Sequence, residues 1–207
     1  SGAINTKAGT LSSLSDNGNG GAVVLNAQND ITTAKVNSYT VGPGRGDSGD
    51  LAFTSFQGAI DTTAGTLDAG NTFGDGGAIT LNAHNNITTA DIITRIVPGG
   101  SGKGGNISLT STAGAINTSA GTLESYSLNA NNGATTNSDS GKGGAIALNA
   151  NGDIIAGSLL AYGGTAGGDV TLTSNARVAS ANSLIISDTL GSSKGGDINI
   201  QARSVSL

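Results

Sequence analysis

Two columns of aliphatic side chains run through the sequence at alternate positions, each set by a preceding glycine pair or single glycine. Val23, Leu51, Ile79, Ile107, Ile146, Val170 and Ile198 form one column, and Leu25, Phe53, Leu81, Leu109, Leu148, Leu172 and Ile200 form another two residues on. A period of two is the signature of a β-strand with one buried face. The intervening positions are mostly Thr, Ser, Asn, Ala and Gln, which places them in water. A third column, Ala27, Ser55, Ala83, Ser111, Ala150, Ser174 and Ala202, is small throughout, as expected where the chain bends over its own interior. A second strand is predicted from Ile31, Ile60, Ile87, Ile116, Ile154 and Val178, and a third near Leu11, Leu67, Leu123, Leu160 and Leu184.

The first-column residues are separated by 28, 28, 28, 39, 24 and 28 positions. Superposed on this is a double-length repeat: GAINTKAGTL, GAIDTTAGTL and GAINTSAGTL begin at residues 2, 58 and 114. The 39-residue interval is 11 longer than 28 and predicts a loop insertion over 124–143. One unit of three short strands cannot bury its apolar side, whereas like units stacked on like make a continuous thin core. The pattern predicts an all-β fold, a right-handed parallel β-helix (β-solenoid) of about seven coils of roughly 28 residues, the hand following from strand crossovers. Residues 1–207 read as a single segment, a slice of a longer array, because the repeat is already under way at residue 2.

Composition narrows the picture. With 35 glycines, 2 prolines, 3% aromatics and no Cys, Met or Trp, the core must be thin and free of disulfides. The glycines are expected in turns that need positive φ and close backbone approach. Asn26, Asn82 and Asn149 share a repeat position, which suggests stacked amide ladders. A net charge of -5 with nine Lys plus Arg lacks the basic footprint of a nucleic-acid or anionic-membrane binder. No apolar run reaches the length of a membrane span, and no membrane insertion is expected.

Candidate chemistry is sparse. Arg45-Gly46-Asp47 is the triplet that integrin-type receptors read as a guanidinium and a carboxylate held apart on a turn. Arg45, Gly46 and Asp47 are therefore a candidate receptor-binding turn, weighed against an ordinary solvated one. Pro98 to Gly105 has the glycines of a phosphate loop, but Gly104 stands where Ser or Thr should follow Lys103, and a strand comes next. Lys103, Lys142 and Lys194 share one Lys-Gly-Gly context, which makes them repeat chemistry. His84 has no second imidazole or thiol with which to bind a metal. Threonine pairs at 32–33, 62–63 and 88–89 raise ice binding, but the outward row Thr32, Asp61, Thr88, Asn117, Ile155, Ala179 is broken. A carbohydrate-active β-helix enzyme, a polysaccharide lyase or hydrolase, would need clustered carboxylates on one outward face. The first strand's outward columns contain none, and Asp169 with Asp197 at the strand entrance is the nearest approach. No catalytic residue, cofactor or metal is expected.

The motifs GAIxTxAGTL, GGAITLNAxNNITTADI and GGNISLTS resemble the repeats of filamentous-haemagglutinin-like exoproteins, the large substrates of two-partner secretion. The resemblance extends over essentially the whole chain. It implies a secreted or cell-surface rod of a Gram-negative bacterium, exported through an outer-membrane transporter and used in adhesion, aggregation or delivery of a terminal effector. The implied partners are a receptor or glycan on a host or neighbouring cell, and the transporter through an amino-terminal domain whose Asn-Pro-Asn motifs this sequence lacks. A stalk presenting a downstream toxin is the other role the resemblance implies.

Overall fold

A computed structural model describes residues 2–40, 46–97, 100, 102–128, 141–180, 184–189 and 194–207. Every pairing between its strands is parallel, as stacking of like on like requires, and the strands form three sheets. The first sheet contains Val23–Ala27, Leu51–Ser55, Ile79–Ala83, Ile107–Ser111, Ile146–Ala150, Val170–Ser174 and Ile198–Gln201. The second has eight strands, from Ile4–Thr6 to Ser204–Ser206, and the third has seven, from Leu11–Ser12 to Ile185–Ile186. The protein is a parallel β-solenoid with three strands per coil. The seven strands of the first sheet bound six complete coils, four of them 28 residues long, so the predicted seven counted rungs rather than turns.

Register follows the aliphatic columns. In the first sheet Val23, Leu51, Ile79, Ile107, Ile146, Val170 and Ile198 pair in succession. In the second, Ile31, Ile60, Ile87, Ile116, Ile154 and Val178 do the same. These residues and Phe53 are buried through the central rungs. The third sheet differs from expectation by one residue at its end. Its inward column is Leu11, Val36, Leu67, Ile92, Leu123, Leu159 and Ile185. Leu160 pairs with Glu124 on the outer face, and Leu184 is exposed. In a run such as Ser158–Leu160 either leucine satisfies the sequence pattern, and a slip of one reverses the face.

Of the two reasons expected for the glycines, close backbone approach is the one that prevails. Among the described residues only Gly141 has a φ in the left-handed region, at 81°. The Gly-Gly strip is instead a place of close backbone approach: a Cβ on Gly49 would strike the Gly21 carbonyl, one on Gly77 the Gly49 carbonyl, and one on Gly105 the Gly77 carbonyl. Hydroxyls from the third sheet fasten this strip from inside. Ser38 Oγ donates to the Gly21 carbonyl at 2.6 Å, Thr94 Oγ1 to that of Gly105 at 2.6 Å, and Ser187 Oγ to that of Gly168 at 2.6 Å.

Side-chain ladders form at the strand entrances, not at Asn26, Asn82 and Asn149, which alternate with Thr54 and Thr110 in register. Asp50 Oδ1 accepts the backbone N–H of Ala78 one coil on at 2.8 Å, Asn106 that of Ala145 at 2.9 Å, and Asp169 that of Asp197 at 2.8 Å. Asp30 and Asn86 do this for the second sheet, accepting from Ala59 and Ala115. A carboxylate or amide oxygen satisfies a donor that the ladder of strand bonds has not yet reached. The small third column has its own task at the bend: Ser55 Oγ donates to the Asn29 carbonyl at 2.7 Å and accepts from Gly58 N at 3.0 Å, and Ser111 repeats this with Asn85 and Gly114.

Candidate functional site

The candidate turn falls across the boundary of the described residues. Arg45 lies outside them, while Gly46 and Asp47 belong to the stack. A Cβ at Gly46 would meet the Gly18 carbonyl, and one at Gly74 the Gly46 carbonyl. Asp47 N donates to Asn19 Oδ1 at 3.0 Å, Asp47 Oδ1 accepts from Asp75 N at 2.9 Å, and Asp75 Oδ1 accepts from Lys103 N at 3.0 Å. Gly46 and Asp47 thus each have a structural role within a ladder that repeats every 28 residues. Of the insertion expected over 124–143, Glu124 ends a strand of the third sheet and Ser127 bridges to Ile96 and Gly163. Residues 129–140 lie outside the described set.

The irregular surface is the outer face of the third sheet. Three residues beyond the inward column of that sheet stand Leu14, Tyr39, Gly70, Arg95, Tyr126, Tyr162 and Asp188, one per rung. The sequence contains three tyrosines, and all three lie in this single file. Tyr126 and Tyr162 stack with centroids 4.5 Å apart and planes 10° from parallel, close to the rung spacing of a sheet. The Arg95 guanidinium carbon sits 5.9 Å from the centre of the Tyr126 ring, within cation–π range, and its Nη1 donates to Glu124 Oε2.

These contacts set the electrostatics. Burial pushes the Tyr126 phenol up to about 12, and the Glu124 carboxylate pushes the same way. Burial alone would lower the Arg95 pKa, but the charges of Glu124 and Asp68 and the ionisable Tyr126 outweigh it and raise the pKa above its ordinary value. The guanidinium remains charged and is compensated locally by carboxylates.

Gly70 interrupts the file between Tyr39 and Arg95. At that rung the surface opens into a hollow of about 180 Å³ lined by Tyr39, Thr40, Asp68, Gly70, Asn71, Thr72, Ile93, Arg95 and Val97. Asn71 builds its wall. The Asn71 amide donates to the carbonyls of Gly46 and Asp75 at 2.9 and 3.0 Å, and its Oδ1 accepts from the N–H groups of Thr72, Phe73 and Gly74. Asp68 Oδ1 accepts from Gly70 N at 2.9 Å. Thr40 Oγ1 reaches the Asp47 carbonyl at 3.3 Å, so the hollow and the Gly46-Asp47 corner share one edge of the rod.

The remaining candidates are absorbed by the ladders. Asp169 caps Asp197 N, and the Asp197 carboxylate pairs with Lys194 Nζ at 2.7 Å. Lys103 Nζ lies 3.5 Å from Asp75 Oδ2. A second hollow, about 330 Å³, runs beside Lys103 and Lys142, but its Asp50 and Asn106 are committed to capping. His84 Nδ1 is 3.2 Å from Thr112 Oγ1 on the exposed corner. Among the described residues no group of three or more His, Cys, Asp or Glu could hold a metal ion, and no helix is long and apolar enough to cross a membrane.

The tyrosine file is not legible from a third column that holds Leu160 and Leu184 and omits Val36 and Ile92. From the correct column, Val36, Leu123 and Leu159, a step of three gives Tyr39, Tyr126 and Tyr162 each time. Compared with known proteins, the chain matches no family model, no curated protein and no solved structure.

Proposed function

We propose that this chain is a non-catalytic rod segment of a secreted or surface-exposed bacterial adhesin or exoprotein, exported by two-partner secretion, in which a stiff solenoid presents a recognition surface to another cell. The observation that carries the reading is the division of labour among polar side chains. Around the strand entrances they are consumed in capping the next coil, as Asp50, Asn106 and Asp169 do. Along one file on the outer third sheet they are joined by every tyrosine in the sequence and by Arg95. A spacer needs only the first arrangement; aromatic and arginine side chains concentrated on one surface are what binding sites use. The resemblance to filamentous-haemagglutinin-like repeats supports the secreted setting, and fold alone would not.

Particles coated with the chain test the adhesive part. Attachment to animal or bacterial cells above that of particles coated with an unrelated protein of equal charge is the expected result. Equal attachment on every surface tried would leave a passive stalk.

A further inference from the structure

The hollow at Gly70 has the composition of a sugar subsite. Its apolar walls are Tyr39, Ile93 and Val97, and its polar rim includes Asp68 and Arg95. At about 180 Å³ it is smaller than the roughly 300–1,000 Å³ of pockets for drug-sized ligands, so it takes one six-membered ring. A flat aromatic ring would cover the Asp68 carboxylate and offer it too few donors, which is costly for a partly buried charge. A pyranose has a C–H face for the tyrosine and vicinal hydroxyls for the carboxylate and the guanidinium. Charge decides among sugars. Arg95 is already paired with Glu124, and Asp68 adds a second carboxylate beside it, so the site carries a net negative charge that disfavours uronates, sialic acids and phosphates.

We propose that the Tyr39–Asp68–Arg95 hollow binds a single neutral pyranose of a cell-surface glycan. This rests on the adhesive reading and gives it a ligand class. Gly70 is the residue that makes the room: a side chain there would crowd the Arg95 carbonyl, 2.8 Å from a built Cβ, and the Asp68 carboxylate, 3.2 Å away. Asn71, saturated by its five hydrogen bonds, holds the wall rigid.

Saturation-transfer NMR and titration calorimetry on the whole chain provide the test, with methyl glycosides of glucose, galactose, mannose and N-acetylglucosamine as probes, and glucuronate, sialic acid and inorganic phosphate beside them. The expected result is saturable binding of at least one neutral glycoside, weakened about tenfold or more in Tyr39→Ala through loss of the stacking face. Asp68→Asn keeps an acceptor for Gly70 N but loses the charge and the second acceptor oxygen, and it is expected to weaken binding to a similar extent. His84→Ala, on an exposed corner away from the hollow, is expected to bind as the wild type does. Overturning results are no binding of any neutral glycoside, tighter binding of an acidic probe, or equal affinity in wild type, Tyr39→Ala and Asp68→Asn. Cell attachment that persists without glycoside binding would sink this site and leave the adhesive reading standing.

Discussion

At the scale of single residues, the solenoid exposes two environments that can be measured directly. Tyr126 is one. Its phenol is raised from 10.0 to about 12, so the folded chain holds that proton more tightly than the unfolded chain does. The corresponding stabilisation is complete below pH 10, and is lost as pH rises from there through about 12. Ultraviolet titration of tyrosinate should show a step near pH 12 that vanishes in Tyr126→Phe; a profile unchanged by that substitution would contradict the stacked, carboxylate-flanked setting. The other environment is interior. Thr33, Thr62 and Thr89 occupy successive rungs of the second sheet, fully buried, and their hydroxyls have no hydrogen-bond partner. Valine has the same branched shape without the oxygen. Thr62→Val should therefore raise the unfolding free energy by about 1–2 kcal/mol in denaturant titration, and a loss of stability would mean that the hydroxyl is satisfied after all.

At the scale of elements, stacking makes glycine obligatory in some columns and incidental in others. Gly105→Ala places a methyl against the Gly77 carbonyl, inside a strip where backbone meets backbone and nothing flexible can yield. A cost of about 3 kcal/mol is expected, at the upper end for overpacking. Gly9→Ala, with nothing within 4 Å of the new methyl, should change stability by no more than about 0.5 kcal/mol. Chemical denaturation of the pair checks both, and equal effects would refute the close-approach account. The Asp47 ladder makes a related distinction. Asp47→Ala removes the acceptor for Asp75 N and should cost about 1 kcal/mol, whereas Asp47→Asn retains an acceptor and should unfold like the wild type. A receptor reading the carboxylate would be lost in both. The first two sheets were legible from the sequence because Val, Ile and Leu recur there at a fixed distance from glycine. The third was less so. Its strands are only two or three residues long, too short for alternation to fix a register, and the choice between Leu159 and Leu160 was open. That ambiguity hid Tyr162, and the omission of Val36 and Ile92 from the expected column hid Tyr39 and Arg95. The capping role of Asp50, Asn106 and Asp169 was equally out of reach, because a side chain that bonds to a backbone N–H one coil away leaves no local pattern.

At the scale of the whole molecule, a repeat that pairs each strand with its equivalents above and below gives a rod with little freedom to bend, and sequence variation is displaced to its outer faces. The outer third sheet is where that variation gathers aromatic, cationic and anionic side chains, next to the corner formed by Gly46 and Asp47. The carboxylates proposed for an enzymatic alternative, Asp169 and Asp197, are engaged with a backbone donor and with Lys194. Asp169→Ala should accordingly change stability while producing no change in reducing-end release from acidic polysaccharides. On the proposed function, this solenoid is itself the attaching surface. The most direct test of that proposal deletes residues 1–207 from the gene of the proposed exoprotein, checks export of what is left, and counts attached cells. Attachment is expected to fall to the level of a non-exporting strain. Attachment at the wild-type level by cells whose exported protein lacks the array would contradict the proposal.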